Sequence, residues 1–453
     1  MRAAEQSLID GGSSVDALMQ IAGRGAADWI WRVAAGRRVS VLCGPGNNGG
    51  DGYVIAEAIR ERGGHVVAIA GGEPATAAAR NARAAFGGNV ITGDADIHGD
   101  VLVDCLFGSG LARPLSQDNL ALLQRLSASH AYRIAIDLPS GVQSDSGMLL
   151  NDGLPAYHLT LALGAWKFAH FLMPSSGTMG ELRLVPIGAP PVDGAARELR
   201  RPRLASPSAD AHKYKRGLLA VVGGYMPGAS LLAAIAAQSA GAGYVKLFAD
   251  SKRNVPTDIV VETGALSDVL ADDRNTAVLV GPGLGRDGAA RERLAIALAD
   301  PVTVVVDADA LVLLSPRVLA ERAAPTIATP HEGELVALER SFELDGTGTR
   351  TERALALAKA SGMVIVAKGP DTVIAAPGGR LVCAHRATSW LSVAGTGDVL
   401  AGTIASRAAA GVPAFEAACE GVWLHGRAAG ACGPAFTAGQ LAANISKALA
   451  SCL

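Results

Sequence analysis

The fold of the first part of this chain is decided by residues 39–52, VSVLCGPGNNGGDG. A short apolar run at 39–44 leads into a loop with five glycines, two asparagines and one aspartate, and a helical pattern follows at 53–63. A buried strand that passes through a glycine-rich turn into a helix is typical of parallel α/β sheets. The stretch also matches the GxGxxG pattern, and Glu73 follows the next strand-like run, where a dinucleotide-binding fold places its ribose partner.

This loop allows three interpretations. A nicotinamide-dependent dehydrogenase is one, but GxGxxG is common in glycine-rich chains and an ordinary Rossmann turn does not require Asn-Asn-Gly-Gly-Asp. A glycine-rich turn without a ligand is another. The third is a site for a polar ligand or cation, because Asp104 and Asp137 stand near the ends of two further strand-like runs and strand ends converge at one edge of such a sheet. Asp51 of the loop is the third carboxylate. Each of these aspartates alone is typical of a helix or turn cap, whereas three at neighbouring strand ends favour a binding site.

Strand-like runs alternate with alanine-rich helical stretches along the whole chain, which predicts an α/β protein with parallel sheets covered by helices. A segment with four prolines, mixed charge and no apolar period, 188–212, is the best candidate linker. We therefore predict two domains without an internal repeat, over 1–190 and 205–453. Further strand-like runs lie at 65–72, 101–108, 133–141, 218–224, 277–283, 303–311, 326–330 and 364–370.

Composition excludes two classes of partner. The 453 residues carry 40 basic and 42 acidic side chains, a net charge of −2, which gives no electrostatic footprint for nucleic acid or an anionic membrane surface. Hydrophobic residues make up 49% and aromatic residues 4%, with 55 glycines, as buried parallel strands and tight turns require.

The distribution of cysteines and apolar runs predicts a cytoplasmic protein. Six cysteines without a CxxC pair indicate a reduced compartment. The N-terminus carries charges where a signal peptide needs an apolar core. The uncharged stretch at 228–245 is mostly alanine and glycine and contains Gln238 and Ser239, so we expect a buried helix there and no membrane span.

The sharpest functional signal is the stretch at 395–402, GTGDVLAG. Its glycines open a helix of small residues, so free backbone amides and the helix dipole form a site for an anion. Asp398 is placed to take a proton from a hydroxyl that attacks a phosphoryl group. This is the arrangement of ribokinase-like enzymes; the alternative is a glycine-rich helix start with an aspartate cap.

The motifs of the first domain resemble those of a known family. GPGNNGGDG, VDCLFGSGLARP and IDLPSG, with MRAAEQ and ALMQIAG near the start, are similar to the N-terminal domain of the bifunctional NAD(P)H-hydrate repair enzymes. The resemblance covers 1–190 and implies a Rossmann-like three-layer NAD(P)H-hydrate epimerase, which interconverts the R and S hydrates NADHX and NADPHX. Compared with the family, the chain starts almost at the opening helix. We therefore expect either that an N-terminal arm used in dimer contacts is missing or that residue 1 is an internal start.

The same resemblance implies the residues of the epimerase site. It implies a potassium ion held by Asn48, Asp104 and Ser140, and oxygen ligands of this kind suit a hard cation. Asp137 is the candidate acid/base group, because epimerising a hemiaminal carbon moves protons. Lys167 either reaches a phosphate or is a surface lysine. The implied substrate contacts are Asn47, Asn48, Gly49, Gly50, Asp51, Gly108, Ser109, Gly110, Leu111, Ala112, Arg113, Pro114 and Asp137.

The second domain, 205–453, resembles the ribokinase-like, ADP-dependent NAD(P)H-hydrate dehydratase of that family, through TPHEGE, KGPDT, GPGLG and GTGDVLAG. The resemblance implies that Asp398 deprotonates the hydrate hydroxyl, that ADP with magnesium phosphorylates it, and that phosphate loss restores the dihydropyridine. The residues implied to face the hydrate are Ala229, Gly283, His331 and Asp398. Those implied to hold the nucleotide are Lys368, Gly369, Pro370, Asp371, Thr372 and Gly397.

Other functions stay open at this point. The anion site of the second domain also serves a vitamin-type alcohol kinase. The first domain also fits a non-catalytic dinucleotide-sensing module, and less well a dehydrogenase, since no hydride-acceptor site accompanies the loop. The partners expected are small molecules and, by the family resemblance, further copies of the chain in a homo-oligomer.

Overall fold

The computed structural model describes residues 2–92, 97–251 and 255–453, and the chain divides into two compact units, Met1–Asp193 and Gly194–Leu453. The second unit begins before the predicted residue 205. Arg197–Glu198 pairs as an edge strand with Leu381–Cys383, and the amide of Leu204 donates to the carbonyl of Cys452 at 3.0 Å. Much of the expected linker is therefore part of the second unit, because its backbone finds partners there.

In the described part of the first unit, seven parallel strands form one sheet in the order β3-β2-β1-β4-β5-β6-β7. The strands are β1 (Val39–Cys43), β2 (Val66–Ala70), β3 (Val90–Thr92), β4 (Gly99–Cys105), β5 (His130–Ile136), β6 (Leu159–Leu163) and β7 (Glu181–Val185). The α-helices are α1 (Arg2–Asp10), α2 (Val15–Ala34), α3 (Asn47–Glu61), α4 (Ala77–Ala85) and α5 (Gln117–Ala128). The order reverses between β1 and β4, where sheets of this kind open a crevice at their carboxyl ends.

Both faces of this sheet are covered. In β1, Val41 belongs to a core shared with α2 and α3, whereas its neighbour Leu42 belongs to a core shared with α5. Successive side chains of a strand point to opposite faces, so a wholly apolar strand needs a helix layer on each side. The result is the predicted three-layer, Rossmann-like arrangement.

Among the described residues of the second unit, ten strands form one sheet in the order β11-β10-β9-β12-β13-β14-β15-β16-β17-β8. The strands are β8 (Arg197–Glu198), β9 (Leu218–Val222), β10 (Tyr244–Phe248), β11 (Val260–Glu262), β12 (Asn275–Val280), β13 (Thr303–Val306), β14 (Thr326–Ala328), β15 (Val364–Ala367), β16 (Val373–Ala375) and β17 (Leu381–Cys383). The first seven strands in this order, from β11 at the edge to β15, are parallel. β16 and β17 add an antiparallel hairpin.

Helices cover this sheet as well. They are α6 (Pro227–Ser239), α7 (Leu266–Leu270), α8 (Gly288–Ala299), α9 (Asp309–Leu313), α10 (Pro316–Leu319), α11 (Glu332–Ser341), α12 (Arg350–Ser361), α13 (Thr396–Ala409), α14 (Ala414–Cys432) and α15 (Ala438–Ala450). A β-carbon on Gly402 of α13 would lie 2.1 Å from the carbonyl oxygen of Ala233 in α6. These two helices therefore pack backbone to backbone, which only small residues allow.

The uncharged stretch at 228–245 forms most of α6 and the start of β10. Its alanines Ala233, Ala234, Ala236 and Ala237 are fully buried in the packed interior. None of the helices in the described ranges is long and apolar enough to cross a membrane.

Candidate active sites

The first site lies at the carboxyl ends of β1, β4 and β5. The glycine-rich loop after β1 enters α3 at Asn47, with Gly46 at the N-cap. A β-carbon on Gly44 would lie 1.7 Å from the carbonyl oxygen of Leu106, and one on Gly49 would lie 1.8 Å from that of Gly44. Glycine is therefore needed at both positions, because the loop packs its backbone directly against the end of β4.

Asp137 follows β5 with a φ of +65°, a left-handed conformation that residues other than glycine rarely adopt. Its amide donates to the carbonyl of Leu161 and its own carbonyl accepts from Nε2 of His170, both at 2.8 Å. Its carboxylate accepts from the amides of Ser109 at 3.1 Å and Leu163 at 3.3 Å. A strained residue held by so many neighbours is typical of a functional site.

Lys167 forms a buried ion pair with Asp137 and donates to the carbonyl of Leu163 at 2.8 Å. Burial raises the pKa of Asp137, but the charge of Lys167, its hydrogen bond and the other neighbours of the carboxylate together outweigh burial, and the pKa of Asp137 lies below its ordinary value. Burial and the charge of Lys167 also lower the pKa of His170 to about 4, so this imidazole is neutral. The interpretation of Lys167 as a surface lysine is therefore wrong.

Asn48 and Gly108 face the same carboxylate. A β-carbon on Gly108 would lie 3.1 Å from the side-chain oxygen of Asn48 and 3.2 Å from a carboxylate oxygen of Asp137. The side-chain nitrogen of Asn48 is buried and finds no hydrogen-bond partner within the described residues, so it is free to bind a ligand. Asp51, in the first turns of α3, is buried too, and burial followed by the charge of Asp137 raises its pKa well above the ordinary value.

The other predicted contact residues lie on two loops at this edge. Asn47 is exposed, and its side-chain oxygen accepts from the hydroxyl of Thr76 at 2.7 Å. Gly49 and Gly50 are buried. The loop after β4 lies nearer to solvent, with Ser109 and Leu111 half-buried and Gly110, Ala112, Arg113 and Pro114 exposed.

Asp104 and Ser140 meet where β4 ends. The hydroxyl of Ser140 donates to the carboxylate at 2.7 Å, and the amides of Leu106 and Ser140 each donate at 3.0 Å, with the hydroxyl of Tyr157 as a fourth donor. Burial raises the pKa of Asp104, although these hydrogen bonds oppose the shift. All four donors are neutral, so this fully buried carboxylate lacks a counter-ion among the residues described.

Glu73 does not join this site. Its side chain is 86% exposed and pairs with Arg83 at 2.6 Å. A carboxylate committed to a surface ion pair is a poor ribose partner, which weakens the dehydrogenase interpretation.

The second site lies at the amino end of α13. The chain enters this helix through Gly395, whose φ of +92° favours glycine. Asp398 is half-buried in the first turn. Burial and then the charge of Asp307 raise the pKa of Asp398 to about 7, although Lys368 opposes the shift. Its carboxylate therefore changes protonation near neutral pH, as a general base should.

Lys368 extends its side chain across this centre. Its ammonium lies 2.6 Å from the carboxylate of Asp307, at the end of β13, and 3.9 Å from that of Glu334. A β-carbon on Gly397 would lie 3.5 Å from the same nitrogen, so the lysine reaches the amino end of α13. The hydroxyl of Thr329 donates to Asp307 at 2.6 Å. The ammonium thus lies among carboxylates beside the predicted phosphoryl site.

A cavity of about 560 Å³ opens beside Lys368. This volume falls within the range of small-molecule sites. Asp371, predicted with the nucleotide residues, pairs instead with Arg350 at 3.1 Å and lies outside the cavity wall. The other predicted nucleotide residues line the cavity: Lys368, Gly369, Pro370, Thr372 and Gly397.

The residues predicted to face the hydrate come from three loops. The carbonyl of Gly283 accepts from the amide of Met226 at 2.9 Å, which ties its loop to the start of α6, where Ala229 is half-buried. His331 is the N-cap of α11. Its amide donates to Glu334 at 2.8 Å and its Nδ1 accepts from the amide of Glu334 at 3.2 Å, while the side chain stays 62% exposed.

The sequence reasoning missed Asp307 and left the role of Lys167 open. Asp307 stands directly after the apolar run of β13, and this strand-end position is the same signal that identified Asp104 and Asp137. Lys167 has no comparable signal, because nothing in GAWKFAH shows that its side chain turns inward.

Known proteins match both units. A family model described as NAD(P)H-hydrate dehydratase matches residues 219–451, and one described as YjeF-related protein N-terminus matches residues 15–169. The chain is 34% identical to the bifunctional NAD(P)H-hydrate repair enzyme Nnr of Mycobacterium leprae, over 91% of this chain and 88% of that protein. The chain belongs to the bifunctional NAD(P)H-hydrate repair enzyme family.

A second member of this repair-enzyme family, from Gloeobacter violaceus, is 35% identical over 94% of this chain and 90% of its own length. Among solved structures, a ribokinase-like superfamily protein from Enterococcus faecalis matches with a TM-score of 0.51 and 23% identity, covering 58% of this chain and 97% of that one. The likeness to the Enterococcus faecalis structure concerns the fold alone and agrees with the ribokinase-like fold predicted for 205–453.

Proposed function

We propose that the first unit epimerises the R and S hydrates of NADH and NADPH and that the second dehydrates the S hydrate with ADP as phosphoryl donor. Membership of the repair-enzyme family supports both activities on one chain. The observation that carries the assignment is an aspartate and a lysine brought together at one sheet edge in each unit: Asp137 with Lys167, and Asp398 with Lys368.

In the first unit, Lys167 is the proton donor and Asp137 the proton acceptor. As the hydroxyl of the hemiaminal carbon leaves, Lys167 protonates it and water departs. Water then adds to the other face of the ring and gives its proton to Asp137, and the proton passes to Lys167 within the ion pair. The depressed pKa of Asp137 supports this assignment, since it keeps the acceptor ionised. The unpartnered amide of Asn48 is available to bind the substrate.

In the second unit, Asp398 takes the proton of the hydrate hydroxyl, and the hydroxyl oxygen attacks the terminal phosphorus of ADP. The bond from that phosphorus to the leaving AMP breaks. The phosphate then leaves the ring carbon as a proton is lost from the adjacent carbon, which restores the dihydropyridine. Ala229, Gly283 and His331 face the hydrate, and Gly397 offers its amide to the phosphoryl group.

Two ions complete the proposal. The buried Asp104 carboxylate with neutral donors, the hydroxyl of Ser140 and the amide oxygen of Asn48 fit a potassium ion, which would supply positive charge near the first site. Magnesium is expected to arrive with the nucleotide phosphates.

The test is recovery of NADH, followed by absorbance, from mixed R and S hydrates with ADP, magnesium and potassium. Complete recovery supports both activities, because only the S hydrate is dehydrated directly. A fast phase that stalls partway leaves the dehydratase and makes the first unit a binding module. A stable phosphorylated product without NADH would favour the alcohol kinase, and no product with ADP or ATP would contradict the proposal.

We also expect a cytoplasmic protein that works on small molecules and assembles as a homo-oligomer. The six cysteines are all free thiols, which supports a reduced compartment. Fractionation of cells and light scattering on the purified chain test these two expectations.

A further inference from the structure

We propose that Asp307 is a positioning residue for dehydration, which holds the ammonium of Lys368 beside the amino end of α13. This inference rests on the proposed function of the second unit. It concerns a residue outside the nucleotide and hydrate contacts assigned above.

Asp307 is rigidly placed. It is 1% exposed, its amide donates to the carbonyl of Val280 at 3.1 Å, and its carboxylate accepts from Thr329 at 2.6 Å. A β-carbon on Gly281 would lie 1.8 Å from the carbonyl oxygen of Asp307, so the backbone directly after β12 packs against Asp307. A carboxylate fixed in this way can define the position of a mobile partner.

Lys368 is such a partner. Its backbone is held, since its amide donates to the carbonyl of Pro330 at 2.7 Å and its carbonyl accepts from Arg350 at 3.1 Å. The four-carbon side chain beyond it is flexible unless its end is bound. The 2.6 Å contact with Asp307 binds that end, and it places the ammonium next to Gly397, where a transferring phosphoryl group meets the helix.

Asp307 acts here through Lys368, because no substrate group needs to touch it. A fixed ammonium stabilises the charge that develops on the phosphoryl oxygens, whereas a mobile one must first be ordered. Losing Asp307 should therefore lower kcat with little effect on KM for the hydrate or for ADP.

A second consequence concerns Asp398. The charged groups that act on Asp398 are Asp307 and Lys368, and Glu334 of α11 lies 3.9 Å from the ammonium of Lys368. His425 of α14 lies behind the helix start, donating to the carbonyl of Thr396 at 2.9 Å, and burial lowers its pKa to about 4, so it adds no charge. Since the charge of Asp307 raises the pKa of Asp398, removing it should move the acidic limb of the rate profile to lower pH.

The experiment compares full-length Asp307→Asn, Lys368→Gln and the double variant with the wild type. We expect about a 100-fold lower kcat for Asp307→Asn, as for the loss of a fixed charge at a transition state, and little further loss when it is added to Lys368→Gln. Asp300→Asn is the matched control: Asp300 is a largely buried aspartate, 9% exposed against 1% for Asp307, just before the opposite end of β13, and the activity of this variant should be unchanged.

Two results would overturn the inference. Losses that multiply in the double variant would mean that Asp307 acts independently of Lys368, and an unmoved acidic limb would mean a merely structural role. If the wild type recovers no NADH, the proposed function fails on its own. Carboxyl NMR titration of Asp398 in wild type and Asp307→Asn then still decides the matter, because an unchanged pKa contradicts the coupling.

Discussion

The two units place an aspartate and a lysine at the carboxyl edge of a parallel sheet, yet the aspartates differ in charge near neutral pH. In the first unit Lys167 pairs directly with Asp137 and lowers its pKa. In the second unit Lys368 is bound by Asp307, and the reactive Asp398 keeps a pKa raised to about 7. The contact that the lysine makes, rather than its presence, decides whether the aspartate is a permanent carboxylate or a titrating base.

The largest expected effect comes from removing the titrating base. Asp398→Ala should lower nucleotide-dependent recovery of NADH by about 1,000-fold or more, because no other group takes the hydroxyl proton. Epimerisation, followed by chromatography of the R and S hydrates, should be unchanged. Loss of both activities would show that the two sites are not separate and would contradict the comparison of the two units.

The next effect comes from the ion pair. Lys167→Met should lower the epimerisation rate by about 100-fold, since it removes the proton donor and leaves Asp137 as a buried charge without a partner. Lys167→Arg is the matched variant that keeps the charge, and it should retain more activity than the methionine variant. Equal rates for the two variants would contradict the role of the charge. Dehydration serves as the internal control.

Below neutral pH, the ratio of the epimerisation rate to the dehydration rate should rise about tenfold for each pH unit. Asp398 must be ionised to act as a base, so with a pKa of about 7 the dehydration rate should fall as the pH drops below 7. Epimerisation should show no acidic limb there, because the pKa of Asp137 is depressed and it stays ionised. Steady-state rates of both reactions between pH 5 and 9 check this, and matching limbs would contradict it.

The smallest effect is expected from potassium. Adding potassium to enzyme dialysed into tetramethylammonium chloride should raise the epimerisation rate several-fold at constant ionic strength, through the site of Asn48, Asp104 and Ser140. Asp104→Asn should abolish this response, since the variant no longer carries a buried charge that needs a cation. A response to potassium that survives this substitution would contradict the assigned ligands. Sodium at the same concentration tests whether the site is selective for potassium.

Much of the fold could be predicted because its signals are local. Each apolar run predicted as a strand contains or overlaps one, since a fully buried strand must be apolar on both faces. Within the expected linker, 188–212, Arg197–Glu198 forms an edge strand, because it pairs with Leu381–Cys383 nearly 200 residues away. No local pattern reports such a contact.

The candidate sites divide in the same way. The glycine loops, the strand-end Asp104 and Asp137, and the helix-start Asp398 are visible in the sequence because close backbone approach and helix starts require particular residue types. The burial of Lys167 and the ion pair of Lys368 are not visible in the sequence, since a lysine side chain has the same sequence signature on the surface and in an ion pair. Asp371 was predicted with its loop and pairs with Arg350 instead.

The sequence by itself determined the two α/β units, the loops that end their strands and the residue types that meet at each edge. Only the tertiary structure decided which lysine meets which aspartate, and hence which carboxylate is ionised and which titrates near neutral pH. The physical reason is that composition and spacing are properties of neighbours along the chain. A pKa depends on burial and on charges a few ångströms away, which come from strands and loops far apart in sequence.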